Sequence, residues 1–324
     1  MHELRVKKSP FQRVKMTLSI IMLVAVVGCT KVEQEGKSAV RSGGESKIKV
    51  TATIGMISDV AEQIGGEEVE VTGLMGPGVD PHLYKASQGD IRKLDQADIV
   101  FYGGLHLEGK MTDILEKLES KKRTVAVSGN IDPSLLRSGK DAGGTQYDPH
   151  IWFNVKHWIS AAQTIEQTLT EYDPEHAESY RKRTEAYIKQ LDALDQEIRT
   201  KIGMIPERSR VLVTAHDAFG YFGEAYGMKV MGLQGISTAA EYGSKDVGDL
   251  RDFLVENGIK AVFTESSIPT KSMEAVIAGA REKGHEVKIG GELYSDSMGS
   301  PGSDADTYIK MVRHNVDTIV EALK

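Results

Sequence analysis

The chain contains very little cysteine and no excess of positive charge. Cys29 is the only cysteine among 324 residues, which excludes an intrachain disulfide and a cysteine-rich zinc site. The 47 acidic residues outnumber the 40 lysines and arginines, so the net charge is −7 and no basic surface indicates a nucleic-acid partner. A glycine-rich phosphate loop is also missing, which argues against ATP- or NAD-dependent chemistry.

The apolar run near the N-terminus, residues 16–27, is too short to cross a bilayer, which takes about 20 residues. Basic residues precede this run, and Gly28-Cys29 follows it, which is typical of a secretory signal. The segment Val26-Val27-Gly28-Cys29 resembles a bacterial lipobox. We therefore expect a signal peptide at 1–28, lipidation of Cys29 and a flexible tether at 29–47. The alternative is an ordinary cleaved signal with an incidental cysteine.

The remaining chain alternates between strand-like and helix-like segments, which predicts parallel sheets covered by helices. One long helical stretch in the middle has no internal glycine or proline before Gly203. We therefore predict an α/β fold of two lobes, each a mostly parallel sheet flanked by helices, joined by one long backbone helix. The predicted boundaries are 48–172 for the first lobe, 173–204 for the linking helix and 205–324 for the second lobe.

Four segments place metal-capable side chains just after predicted strands, where open α/β sheets bind ligands. The tripeptide Asp-Pro-His occurs twice and presents His82 and His150 on turns that proline stiffens. His216 and Asp296 follow strands of the second lobe. Three imidazoles and one carboxylate would fill the coordination shell of a cation, whereas a catalytic zinc keeps one position open for water. The pattern therefore favours carrying a metal over using it in catalysis.

Each of these four residues also has a simpler interpretation, since a histidine on a loop is usually a surface residue and an aspartate often caps a turn. We assign the surface role to the six other histidines. They are His2, His106, His157, His176, His285 and His314.

At these four segments the sequence resembles the cluster A-I substrate-binding lipoproteins of zinc and manganese ABC importers, the TroA-like proteins. The resemblance covers residues 48–324 and includes the lipobox. Its motifs are Gly-Pro-Gly-Val-Asp-Pro-His-Leu-Tyr at 76–84, Asp-Pro-His-Ile-Trp at 148–152, Ala-His-Asp-Ala-Phe-Gly-Tyr-Phe at 215–222 and Leu-Tyr-Ser-Asp-Ser-Met-Gly at 293–299. The family's four metal ligands then fall on His82, His150, His216 and Asp296.

The resemblance implies an extracytoplasmic, lipid-anchored carrier that delivers one divalent ion, Mn²⁺ or Zn²⁺, to an ABC permease and its ATPase. We expect a monomer without enzymatic activity. The third ligand is glutamate in many manganese-selective members, whereas His216 stands here, and the histidine-rich loop of zinc-dedicated members is missing between residues 88 and 147. The identity of the ion therefore stays open between manganese and zinc.

Three aspartates, Asp80, Asp148 and Asp217, are candidate partners for ring N–H groups of the ligands. With ordinary histidine pKa values, we expect proton release on binding and weaker binding below about pH 6. Two alternatives remain. The first is an extracytoplasmic zinc metallohydrolase with Glu265 as its base, and the second is a surface adhesin of the same family.

Overall fold

A computed structural model describes residues 46–139 and 146–324. Cys29, the predicted signal peptide and most of the predicted tether lie outside the described residues, so these interpretations stay predictions. The first lobe has a parallel four-stranded sheet in the order β2-β1-β3-β4. Its strands are β1 (Ile48–Ala52), β2 (Val69–Gly73), β3 (Ile99–Tyr102) and β4 (Arg123–Ala126). Its helices are α1 (Gly55–Gly65), α2 (Gln88–Gln96) and α3 (Thr112–Glu119).

Two helices occupy the middle of the chain, α4 (Val155–Tyr172) and α5 (Ala177–Gly203). Asp173-Pro174 separates them, as a proline at a helix start predicts. The 27 residues of α5 extend over about 40 Å at 1.5 Å per residue. This helix packs against α1 of the first lobe and α9 (Tyr308–Leu323) of the second. It therefore contacts both lobes along its length, in agreement with the predicted backbone helix.

The second lobe consists of two parallel strand pairs, β5-β6 and β7-β8. These strands are β5 (Val211–His216), β6 (Lys229–Gln234), β7 (Ala261–Glu265) and β8 (Lys288–Leu293). The helices before α9 are α6 (Gly220–Tyr226), α7 (Ser244–Glu256) and α8 (Lys271–Glu282). Strands β5 and β7 are neighbours, so their carboxyl ends lie side by side. The predicted fold class is confirmed, while the exact lobe boundaries remain a prediction.

Two apolar cores stabilise this arrangement. The larger core includes the β1 and β3 side chains and the buried face of α5, and it extends to α9. The smaller core lies between the second-lobe strands and helices α7 and α8. Because the larger core runs from first-lobe strands to the last helix, the two lobes share buried apolar surface.

Among the described residues, no helix combines the length and the apolar character needed to cross a membrane.

Candidate metal centre

The four predicted ligands meet at one point. The potential ligand atoms of His82, His150, His216 and Asp296 all lie within 4.8 Å of one another. The Nε2 atoms of His82 and His150 are 3.3 Å apart, and Asp296 Oδ2 lies 3.4 Å from His216 Nε2. Asp296 Oδ1 lies 3.4 Å from His150 Nε2. Three imidazole nitrogens therefore face one carboxylate across a space the size of a single cation.

Each lobe supplies two of these side chains. His82 lies in the loop after β2, and His150 immediately precedes a short 3-10 turn that leads into α4. His216 is the last residue of β5, and Asp296 follows the end of β8. His216 and Asp296 lie at the carboxyl ends of parallel strands and His82 lies in the loop after β2, as the sequence predicts, whereas His150 precedes α4 and does not directly follow a strand.

The repeated Asp-Pro-His tripeptide has the same local geometry at both positions. Asp80 Oδ1 accepts the backbone N–H of His82 at 2.8 Å, and Asp148 Oδ1 accepts that of His150 at 3.0 Å. Each aspartate thus caps a turn through the residue two positions later, which is the ordinary use of aspartate in turns. The two turns hold both imidazoles before any cation arrives.

Two carboxylates orient the imidazoles of His150 and His216 by contacting Nδ1, the ring nitrogen that faces away from the centre of the site. Asp148 Oδ1 lies 2.8 Å from His150 Nδ1, and Glu265 Oε2 lies 2.6 Å from His216 Nδ1. Such a partner fixes the ring and leaves Nε2 directed at the centre. The prediction for Asp148 is therefore confirmed. Asp80 has a different role, since its second oxygen accepts the hydroxyl of Thr238 at 2.6 Å.

Glu265 was not predicted as an imidazole partner, and Asp217 was predicted wrongly. The Asp217 carboxylate makes no hydrogen bond to an imidazole within the described parts of the chain. Glu265 reaches His216 because β7 ends at Glu265, β5 ends at His216, and the two strands are neighbours. That adjacency depends on the strand order, which the sequence alone does not give.

The quartet is removed from solvent. His150 and His216 are 0% exposed, Asp296 is 1% exposed and His82 is 2% exposed. His216 Nε2 and both Asp296 oxygens are buried without a hydrogen-bond partner. Buried polar atoms almost always have partners, so this set calls for a ligand that accepts electron pairs from all of them. A divalent cation fits that requirement.

Burial and local charge move the pKa values of the quartet in opposite directions. Burial lowers the pKa of His82 to about 3. Burial also disfavours the charged form of His150, but Asp148 and Asp296 outweigh it and raise its pKa to about 9. Glu265 and Asp296 similarly raise the pKa of His216 well above its usual value against the effect of burial. Asp296 is buried too, yet its imidazole neighbours hold its pKa well below the usual range.

Most of the other histidines agree with the surface prediction. His106 is exposed and His176, His285 and His314 are partly exposed, while His2 lies outside the described residues. The prediction for His157 is wrong. Its side chain is buried and packs edge-on against Tyr221 with ring centroids 5.0 Å apart. Its charged neighbour Lys156 is exposed on another face of α4, and the sequence pattern alone does not show which face is buried.

Hydrogen bonds across the two lobes enclose the site. The Trp152 indole donates to the carbonyl of Ser295 at 2.9 Å, and the Tyr308 hydroxyl donates to the carbonyl of Trp152 at 2.7 Å. Gly78 N donates to Ser297 Oγ at 3.0 Å. These contacts attach the loops of His82 and His150 to the loop of Asp296.

Comparison with known proteins shows which family the chain belongs to. The family model described as zinc-uptake complex component A, periplasmic (ZnuA) matches residues 50–322. The manganese-binding lipoprotein MntA of Bacillus subtilis (strain 168) is 51% identical over 310 residues, covering 95% of this chain and 98% of MntA. The zinc-binding protein TroA of Treponema pallidum (strain Nichols) is 46% identical over 282 residues, covering 87% of this chain and 91% of TroA. The solved structure of periplasmic TroA from Treponema pallidum matches with a TM-score of 0.83 at 47% identity, covering 86% of this chain and 99% of that one.

Proposed function

The chain belongs to the ZnuA family of metal-uptake components, and on that premise we propose that it is an extracytoplasmic carrier of Mn²⁺ or Zn²⁺ for an ABC importer. Its cargo is one divalent ion held by His82, His150, His216 and Asp296. The observation that carries this proposal is the buried convergence of these four side chains, with ligand atoms within 4.8 Å of one another. Its partners are the cognate permease and the ATPase of that importer.

The donor set bears on which ion is carried. Three imidazoles favour zinc, whereas manganese prefers oxygen donors, and intrinsic affinity rises from Mn²⁺ to Zn²⁺. We propose that the site binds zinc at least as tightly as manganese in solution. The relatives named for manganese and for zinc are similarly close to this chain, at 51% and 46% identity. Supply in the cell then decides the physiological cargo.

We also propose that the chain is not an enzyme. The metallohydrolase alternative needs an open coordination position and a base, and Glu265 was its candidate base. Both oxygens of Glu265 are occupied by His216, one by its backbone N–H at 2.9 Å and one by its ring at 2.6 Å. This pairing supports a role in orienting a ligand, and the four inward-facing donors leave no vacancy for a reactant.

The anchor and the oligomeric state belong to the same proposal. Lipidation at Cys29 would keep the carrier beside the permease, and stable anchoring requires more than one acyl chain. All four proposed ligands come from one chain, so a monomer is sufficient for binding.

Calorimetric titration of chelator-stripped protein with Zn²⁺ and Mn²⁺ tests the function. We expect one high-affinity site per chain and a loss of several orders of magnitude in affinity for His216→Ala. His285→Ala is the matched control, because His285 hydrogen-bonds the carbonyl of Ile259 outside the quartet. Unchanged affinity in His216→Ala would show that the quartet is not the binding site.

A further inference from the structure

Arg137 connects the second histidine ligand to the opposite lobe. It lies two residues after the 3-10 turn Pro133–Leu135. Its Nε donates to Asp148 Oδ2 at 3.2 Å, and the other oxygen of Asp148 holds the His150 ring. Its Nη1 donates to the Gly220 carbonyl at 3.2 Å and to Glu224 Oε1 at 2.6 Å, both on α6 of the second lobe. One guanidinium therefore joins the aspartate behind a proposed ligand to the facing helix.

Tyr221 reinforces this connection. The backbone N–H of Arg137 donates to the Tyr221 hydroxyl at 3.1 Å, and that hydroxyl donates to the carbonyl of Asp148 at 2.9 Å. Asp148 N in turn donates to the Arg137 carbonyl at 3.0 Å. The loop of His150 is thus held to α6 through both the side chain and the backbone of Arg137.

The residue at position 220 must be small for this contact to exist. A Cβ atom on Gly220 would lie 2.5 Å from both Cζ and Nε of Arg137. These atoms are the end of a flexible side chain, so a methyl group at position 220 moves the guanidinium away from its contacts with α6. Gly220 has no positive φ that would explain the glycine by backbone conformation. Its role is to admit Arg137.

We propose that Arg137, admitted by Gly220, is a positioning residue that holds the two lobes together around the cation and sets its rate of release. This proposal rests on the proposed function and deepens it. Ligands come from both lobes, so the cation leaves only when the lobes separate. Separation breaks the bonds of Arg137 to Gly220 and Glu224, which are charge-assisted on the arginine side. In this proposal the cation enters while the lobes are apart, before Arg137 contacts α6, so the association rate is much less sensitive to Arg137 than the dissociation rate.

The test measures dissociation of Zn²⁺ by stopped-flow mixing of zinc-loaded protein with excess chelator. We expect Arg137→Gln and Gly220→Ala each to raise the dissociation rate by about 10- to 100-fold, with the association rate nearly unchanged. The double variant should dissociate no faster than Arg137→Gln alone, because both changes break one contact. Purely structural damage would not produce this lack of additivity or the split between the two rates.

Two further variants sharpen the test. Arg123→Gln is the matched control, because Arg123 is 26% exposed against 24% for Arg137 and pairs with Glu171 within the first lobe. Its zinc dissociation should equal that of the wild type. Arg137→Lys keeps the charge but cannot reach Asp148 and α6 together. It should also release zinc faster, and it replaces Arg137→Gln if that variant does not fold.

The outcomes separate this proposal from the proposed function. Wild-type protein that binds neither Zn²⁺ nor Mn²⁺ overturns both. Wild-type protein that binds zinc, with Arg137 variants that release it within twofold of the wild-type rate, overturns only the role of Arg137. Additive effects of Arg137→Gln and Gly220→Ala also overturn it.

Discussion

The opposed pKa shifts of the quartet predict that cation binding displaces two protons. His150, with a pKa raised to about 9, and His216, with a pKa raised well above its usual value, both hold a proton at neutral pH in the cation-free site. His82, with a pKa lowered to about 3, is already neutral. A cation can bind Nε2 only after the competing proton leaves. Two protons therefore leave for each divalent ion, and the buried charge stays balanced.

The size of the change in cation affinity with pH follows from mass action. Each displaced proton changes the apparent affinity about tenfold per pH unit, so two protons give about 100-fold, or about 3 kcal/mol, per unit. Affinity should rise with pH from about pH 6 to about pH 9, where His150 begins to lose its proton unaided. Ordinary histidine pKa values predicted weakening only below about pH 6. The charges of Asp148, Glu265 and Asp296 move this range upward.

Calorimetry in buffers of different ionisation enthalpy directly measures the number of protons released per bound cation. At pH 7 the observed heat of zinc binding should vary with buffer ionisation enthalpy with a slope that corresponds to about two protons. His106→Gln is the control, since this exposed histidine lies outside the quartet and its loss should leave the slope unchanged. A slope near zero would refute the charge assignment of the site.

Three further predictions address the imidazole partner, the cation-free protein and the linking helix. Glu265→Gln should weaken zinc binding by about 10- to 100-fold in a competition titration, because His216 loses its orienting carboxylate, and an unchanged affinity would contradict that role. The melting temperature of cation-free protein should fall as pH rises from about 6.5 to 9. The reason is that the His150 pKa is raised to about 9 in the folded state, so the protonated ring stabilises the fold and that stabilisation is lost as the proton leaves. A melting temperature that does not change over this pH range would contradict the raised pKa. Leu191→Ala should lower the free energy of unfolding by about 2–5 kcal/mol in urea titrations, because Leu191 is 0% exposed on α5. Lys189→Ala, on the exposed face of the same helix, should change it little. Equal effects of the two variants would show that the Leu191 face of α5 is not packed.

The periodicity of apolar residues was sufficient to predict the helices and strands of the fold. The alternation of strand and helix signals follows from local spacing of apolar residues, and Asp173-Pro174 marks the break before α5. The length of α5 and its contact with both lobes followed from an uninterrupted helical pattern. These features depend on residues that are close together in the sequence, so a single amino-acid sequence is sufficient to predict them.

The Asp-Pro-His repeat singled out His82 and His150, whereas His216 and Asp296 were assigned as ligands from the resemblance to the TroA-like proteins. Of the residues behind the ligands, Asp148 could be predicted because it belongs to the same tripeptide as His150, whereas Glu265 and Arg137 could not. Glu265 reaches His216 through the order of β5 and β7, and Arg137 reaches Gly220 across 83 residues of chain. The burial of His157 depends on which face of α4 meets Tyr221. Such contacts are set by packing between distant segments, and local pattern carries no record of them.

X-ray absorption spectroscopy of zinc-loaded wild-type protein examines the coordination shell itself. The convergence of His82, His150, His216 and Asp296 predicts three imidazole nitrogens and one carboxylate group at about 2.0–2.2 Å from zinc, with no bound water. His216→Ala should lose one of the three imidazoles from that shell. A shell with fewer than three imidazoles in the wild type, or one unaltered in His216→Ala, would contradict the assignment of this site as the place where the cation is carried.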